Sequence, residues 1–359
     1  MTATEQRLRK LRGVMEQEGI EALLITNAVN RKYLTGFTGT AGYVVVTADR
    51  AWLFVDFRYV TQAGEQAHGY EVVEHGVPAA RTIGETLRAL GISKLGFEQQ
   101  DVTYGSYLQY AADLGDGLKL VPTDGVVEKL RRVKDEEELK VIQQAVDIAD
   151  AAFEHALTRL RTGVPEQEIA FELEFFMRKS GASGKSFETI VASGVRSAMP
   201  HGVASDKLIG TDEFVTMDFG AVNKGYCSDL TRTVFIGQPT PKHKELYDIV
   251  LEAQLTALEG LRSGITGREG DALARDVIAK YGYGDYFGHG TGHCVGLDIH
   301  ESPRLSKTEG TVLESGMVIT VEPGIYIPGF GGVRIEDMVV ITDRGCSIMT
   351  KSRKDFILL

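Results

Sequence analysis

Asp218, Asp229, Glu322 and Glu336 lie in largely apolar stretches, and a cluster of histidines, His289, His293 and His300, falls between the second and third of them. Acids in such surroundings need a proton, a partner or a cation. The stretch from Glu213 to Ile236 reads as two strands around a short turn. Phe214, Val215 and Met217 lead into Asn223-Lys224-Gly225, and Thr231, Thr233, Val234 and Phe235 follow. With Asn223 and Lys224 as a two-residue loop, Val222 faces Gly225 and Asp218 stands opposite Asp229, which puts their Cβ atoms roughly 4.5–5.5 Å apart. Two buried carboxylates that close repel each other unless they share a proton or a cation. On these two residues alone, a turn-capping Asp218 and an exposed strand residue Asp229 explain the sequence as well as a metal does.

The later acids shift the balance. Gly288, Gly290, Gly292 and Gly296 surround the histidines, so that segment reads as a loop or tight turn that positions imidazoles. Glu322 and Glu336 interrupt MVITVEPGIYI and GVRIEDMVVI. Arg334, two residues before Glu336 on one strand face, is the expected partner for that acid and leaves the other three uncompensated. Four carboxylates with one imidazole and no thiolate suit Mn²⁺, Co²⁺ or Fe²⁺, with Zn²⁺ as an alternative. A two-metal site ~3.5–4 Å across would present a bridging hydroxide to a carbonyl carbon, so the expected reaction class is metal-assisted hydrolysis.

The elements that must position these residues divide into two blocks. The chain has 359 residues and a net charge of −11, enough for two cored domains. Acids and bases are interspersed without a basic run, so nucleic acid is not an expected partner. Cys227, Cys294 and Cys346 are widely spaced, which argues against a disulfide framework and suits a reducing cytoplasm. No apolar run approaches the ~20 residues of a membrane span, and the N-terminus reads as an amphipathic helix with Leu8, Leu11 and Met15 on one face. A soluble, cytoplasmic protein is expected.

Residues 1–123 alternate strand signals (22–26, 43–46, 52–55, 70–74, 95–98) with helical ones (82–90, 104–113), an α/β domain. Asp56 and Arg58 read as an ion pair at a strand end, with a direct catalytic role as the alternative. Residues 124–134 read as a charged linker, and 135–359 as the second domain. There, Leu139, Ile142, Val146, Ala149, Phe153, Ala156 and Leu160 step by three and four along one buried helix face. Gly163 ends that helix, and Pro165 opens the next, which runs to about Lys179. A strand at 187–192, helices near 241–262 and 269–280, and strands at 318–321, 325–327 and 333–341 complete it. Strand blocks and helix pairs arrive in two batches, which permits a duplicated α+β half.

In order along the chain, YLTGFTG, VDFRY, MPHG, MDFG, CSDLTRT, GHGTGHCVGLDIHE, VEPGIY and GGVRIED resemble the motifs of the pita-bread metallopeptidases. Within them the chain is most similar to the Xaa-Pro dipeptidases (prolidases) and Xaa-Pro aminopeptidases. MPHG is weak alone; the ordered ligand motifs are specific and the resemblance spans essentially the whole chain. It implies an α+β fold: a pita-bread domain of duplicated halves and antiparallel sheet, preceded by a smaller α/β creatinase-type N-terminal domain. It implies two divalent metal ions, manganese first and cobalt, zinc or iron as alternatives, held by Asp218, Asp229, His293, Glu322 and Glu336, with Asp229 and Glu336 bridging. His201 would stabilise the tetrahedral intermediate, His300 would contact substrate near the scissile carbonyl, and Glu322 would act as general base. His289 and Arg334 match positions that shape the substrate pocket. Arg304 resembles a prolidase arginine that meets the free carboxylate of a dipeptide; an ordinary exposed arginine is the alternative.

The implied reaction is hydrolysis of an Xaa-Pro bond, first of dipeptides. Aminopeptidase P activity on longer peptides is the main alternative. A creatinase-like hydrolase and a non-catalytic binding module are disfavoured by the intact ligand set, and a methionine aminopeptidase by the large N-terminal domain. The family pattern also implies a homodimer.

Overall fold

The apolar runs of the first third form one six-stranded sheet in the computed structural model, which describes residues 2–359. The chain divides into two units, Met1–Arg131 and Arg132–Leu359. In the first, β1 (Ala22–Ile25), β2 (Tyr43–Thr47), β3 (Ala51–Val55), β4 (Glu71–Glu74), β5 (Lys94–Glu98) and β6 (Lys119–Thr123) lie in the order β4-β3-β2-β1-β5-β6. The central strands are buried almost throughout, as near-continuous Val, Leu and Phe runs require when both sheet faces are covered. Sequence reading misses β6, which contains Pro122, and the helix Ala28–Thr35, whose buried face includes Asn30 and Arg31 and so shows no apolar stripe. Asp56 and Arg58 do pair, through Arg58 Nε and Nη2 at 2.9 and 2.8 Å. Residues 124–134 are not an open linker: Val126–Arg131 is helical and Val133 bridges Met317.

The second unit opens on the helix Glu136–Leu157, started by an Asp135/Glu138 capping box. Ile142, Val146, Ala149, Phe153 and Ala156 are buried along it, as their spacing demands. The helix stops at Leu157, short of Leu160, which stays buried in the following turn. Pro165 caps the next helix, Glu166–Lys179. Then come β7 (Gly184–Lys185), β8 (Ile190–Ser193), β9 (Glu213–Phe219), β10 (Ala221–Asn223), β11 (Tyr226–Cys227) and β12 (Leu230–Ile236). A second helix pair, Pro241–Gly260 and Gly267–Lys280, precedes β13 (Gly292–Cys294), β14 (Glu301–Leu305), β15 (Val318–Val321), β16 (Gly324–Ile327), β17 (Gly331–Arg334), β18 (Asp337–Thr342) and β19 (Gly345–Ile348). Antiparallel sheets β12-β9-β8 and β14-β13-β15-β18-β19 each follow a helix pair, which is the duplicated α+β arrangement expected.

Two expectations about register need correction. β10 and β11 pair Asn223 with Tyr226, so the turn is Lys224-Gly225, with Lys224 at φ 49° and Gly225 at φ 94°. Consequently Asp218 stands opposite Thr231, not Asp229. The slip is by two residues, so every side chain keeps its face and the acids still meet. The strand expected over 333–341 is broken: β17 ends at Arg334 and β18 begins at Asp337, leaving Ile335 and Glu336 outside any ladder.

Candidate active site

Each candidate acid sits at a strand end or a break, where backbone leaves the ladder and a side chain can turn inward. Asp218 is near the end of β9, Asp229 just precedes β12, Glu322 just follows β15, and Glu336 occupies the break before β18. His293 is at the centre of the short strand β13, so part of the expected glycine loop is extended. The structure brings all five together. One oxygen each from Asp218, Asp229 and Glu336 lie within 4.8 Å of one another. His293 Nε2 is 3.6 Å from Asp229 Oδ2 and 3.4 Å from Glu322 Oε1.

The electrostatics are those of a site short of positive charge. Burial, together with Glu336 and Asp218, drives the Asp229 carboxyl well above its usual range. Burial and the neighbouring acids Glu322 and Asp218 do the same to Glu336. Burial pushes Glu322 up to about 8 even though Arg334 opposes it. Burial and nearby His300 hold the His293 imidazole down to about 4, hence neutral. Asp218 Oδ1 and Glu336 Oε1 are buried without a hydrogen-bond partner. Orphaned hard oxygens beside a neutral imidazole are the donor set that divalent cations take up.

Neighbouring side chains fix how the candidate ligands point. His293 Nδ1 lies 3.1 Å from the Cys294 carbonyl, so Nδ1 carries the proton and Nε2 keeps its lone pair toward the acids. Thr320 Oγ1 accepts the His293 N–H at 3.0 Å and donates to Glu322 Oε1 at 3.3 Å. Thr231 Oγ1 donates to Glu336 Oε2 at 2.7 Å. Sequence reasoning missed both threonines; the available signal was a hydroxyl inside an apolar strand beside an acid.

Arg334 does not pair with Glu336 as expected. Its Nη2 donates to Asp218 Oδ2 at 2.5 Å, its Nη1 to the Tyr326 hydroxyl at 2.8 Å and its Nε to Thr231 Oγ1 at 3.1 Å. The strand break at Ile335 removes the alternation that would have put Arg334 and Glu336 on one face. The Tyr326 hydroxyl, also missed, donates a hydrogen bond to His289 Nε2 at 2.8 Å, while His289 Nδ1 meets the Gly290 carbonyl at 2.7 Å. Both His289 nitrogens are thus committed within the protein. Arg275, clamped by Asp271, holds the same loop through the Phe287 and His289 carbonyls.

His201, His300 and Arg304 are exposed and line the same cavity as the five candidate ligands, with a volume of about 670 Å³. Arg304 faces His293 across the β13–β14 ladder, and its guanidinium makes no ion pair among the described residues. The buried pair Lys134–Glu301, 3.0 Å, anchors the backbone next to His300. Phe187, Ile190, Val203 and Ile299 supply an apolar wall. A second cavity, about 500 Å³ beside Lys94 and Pro122 in the first unit, contains none of these residues.

A consequence for stability follows in the absence of cations. Glu322, Glu336 and Asp229 have folded-state pKa values above their unfolded ones, so the folded chain holds protons that the unfolded chain has released. Their stabilisation is complete below about pH 4, the unfolded range, and is lost as pH rises toward the folded value, about 8 for Glu322. Chelator-treated protein should therefore unfold at lower temperature at about pH 8 than at about pH 5, and added Mn²⁺ should recover more at the higher pH. A cation-free melting temperature flat across that window contradicts this.

Comparison with known proteins extends these observations. The profile of metallopeptidase family M24 matches residues 140–343, and that of the creatinase/prolidase N-terminal domain matches residues 7–133. A curated relative, an Xaa-Pro dipeptidase of Pyrococcus horikoshii, is 42% identical over 99% of this chain and 100% of its own. A solved Xaa-Pro dipeptidase from Bacillus anthracis superposes with TM-score 0.97 at 53% identity, covering 99% of this chain and 100% of that one. A solved X-Pro aminopeptidase from Thermotoga maritima superposes at 0.90 with 39% identity over 97% of this chain and all of that one.

Proposed function

We propose, from the premise that this chain belongs to metallopeptidase family M24 and carries a creatinase/prolidase N-terminal domain on a pita-bread peptidase domain, that it hydrolyses the Xaa-Pro bond of dipeptides. The observation that carries this reading is the joining, in one cavity, of the five-residue donor cluster with an arginine that has no acid of its own. Asp218, Asp229, His293, Glu322 and Glu336 hold two divalent cations in this reading, manganese first. Such ions supply Lewis acidity to a carbonyl oxygen and lower the pKa of water.

The chain's own groups do the rest. Thr231 and Thr320 each occupy one oxygen of Glu336 and Glu322 and so aim the carboxylates. Arg334 offsets the charge of Asp218 from behind. Glu322, which bound cations would keep ionised, takes the proton of the attacking water. His201 and His300, on the open side of the cavity, donate hydrogen bonds to the scissile carbonyl as it gains charge. Arg304 receives the C-terminal carboxylate of the dipeptide.

The Thermotoga relative's name supports a second reading, an aminopeptidase acting on longer peptides. The two are separated by kcat/KM for Ala-Pro and Ala-Pro-Ala. Preference for the dipeptide is expected, and preference for the tripeptide overturns the dipeptidase assignment. We further place the protein in the cytoplasm as a homodimer. Three free thiols support a reducing compartment, and no helix among the described residues is long and apolar enough to cross a membrane. A monomeric mass by light scattering at micromolar concentration would refute the dimer.

A further inference from the structure

Behind the donor cluster lies a buried ionic network that the proposed chemistry does not use. Arg232, 1% exposed, has five N–H donors and every one is engaged. Nε donates to the Arg353 carbonyl at 3.0 Å, and Nη2 to Asp337 Oδ1 at 2.8 Å and the Ser352 carbonyl at 2.6 Å. Nη1 donates to the Thr231 carbonyl at 2.9 Å and, in a short contact, to the Glu336 carbonyl. Asp337, also 1% exposed, accepts from Gln254 Nε2 at 2.8 Å and from Lys354 Nζ on its other oxygen. One guanidinium therefore ties together the strand that follows Asp229, the break that carries Glu336, and the C-terminal segment.

The break makes this consequential. Glu336 has no ladder partner, so its backbone groups must be satisfied elsewhere. Its N–H goes to the Thr231 carbonyl at 3.2 Å, and its carbonyl is taken by Arg232. The guanidinium fork thus replaces missing sheet bonds at the residue whose carboxylate faces Asp218 and Asp229. We propose that Arg232 is a positioning residue of the metal centre, which fixes the Glu336 backbone against Thr231 and makes Ser352–Lys354 part of the scaffold of the site. The inference rests on the metal-binding reading given above.

Arg232→Lys keeps the charge but gathers its donors on a single nitrogen, which cannot span from the Thr231 carbonyl to that of Arg353. The test is calorimetric titration of cation-stripped protein with Co²⁺, together with the visible spectrum of bound Co²⁺ and far-ultraviolet dichroism. The expected result is a folded variant that binds at least one Co²⁺ about 10- to 100-fold more weakly, with an altered Co²⁺ spectrum. At saturating Co²⁺, kcat for Ala-Pro falls and KM is unchanged. Wild-type affinity and spectrum in the variant, with only a lower melting temperature, reduce Arg232 to general stability and overturn the inference. If wild-type protein takes up no Co²⁺, the metal reading fails and the inference falls with it. Should Arg232→Lys not fold, Asp337→Asn decides on the same spectrum, which changes if the network positions Glu336 and stays constant if it does not.

Discussion

Asp229→Ala is expected to lower kcat/KM for Ala-Pro by at least about three orders of magnitude, on the order of 4 kcal/mol of transition-state stabilisation. Asp229 is the acid within reach of the most other members of the site: Asp218 and Glu336 through the shared oxygen cluster, and His293 directly. Removing it takes away the acid that reaches Asp218 and Glu336 on one side and His293 on the other, and leaves Glu336 as the one shared carboxylate. The same substitution should raise the melting temperature of cation-free protein. Burial and three neighbouring acids hold the Asp229 carboxyl high, so its deletion relieves repulsion and desolvation at once. Opposite signs on activity and cation-free stability mark a functional site whose residues are not chosen for stability. A variant that loses activity and is also less stable without cations would place Asp229 among ordinary structural acids.

Arg304→Ala is expected to cost roughly 1.5–3 kcal/mol on dipeptide, a loss of about 10- to 150-fold in kcat/KM carried mainly by KM. The loss should fall toward the lower end of that range, because Arg304 is exposed and water competes for its charge. A tripeptide places its carboxylate one residue further along, so its slow cleavage should change little, and the dipeptide-to-tripeptide ratio should collapse. Arg304→Lys should recover part of the loss, since the point charge remains and the bidentate fork does not. Equal losses on both substrates would show that Arg304 shapes the cavity and does not read a terminus.

Much of the site was legible because burying a charge is costly whatever the fold. Glu322 and Glu336 inside apolar runs announced themselves, and the motif order supplied His293 and the exposed His201 and His300. What escaped was set by backbone geometry. The hairpin turn fell one residue later than its Asn-Lys-Gly sequence suggested, which slid Asp218 opposite Thr231. The face was preserved only because that slip changed the register by an even number. Ile335 and Glu336 look like continuous strand, yet they form the break that frees Arg334 for Asp218. Tyr326, Thr231 and Thr320 carry no sequence signal apart from a polar atom in an apolar strand. In the first unit, Asn30 and Arg31 on the buried side of Ala28–Thr35 erased the periodicity that would have revealed that helix. The two duplicated halves were readable from the batching of helices and strands, since amphipathic stripes survive wherever packing alone decides.

The most direct measurement is Ala-Pro hydrolysis by chelator-stripped protein during stepwise addition of Mn²⁺. Two cations held by Asp218, Asp229, His293, Glu322 and Glu336 predict no turnover at the start and a rise that levels off at about two equivalents per chain. Undiminished hydrolysis by the stripped protein, or no recovery at any Mn²⁺ concentration, would contradict a dinuclear peptidase site built from these five residues.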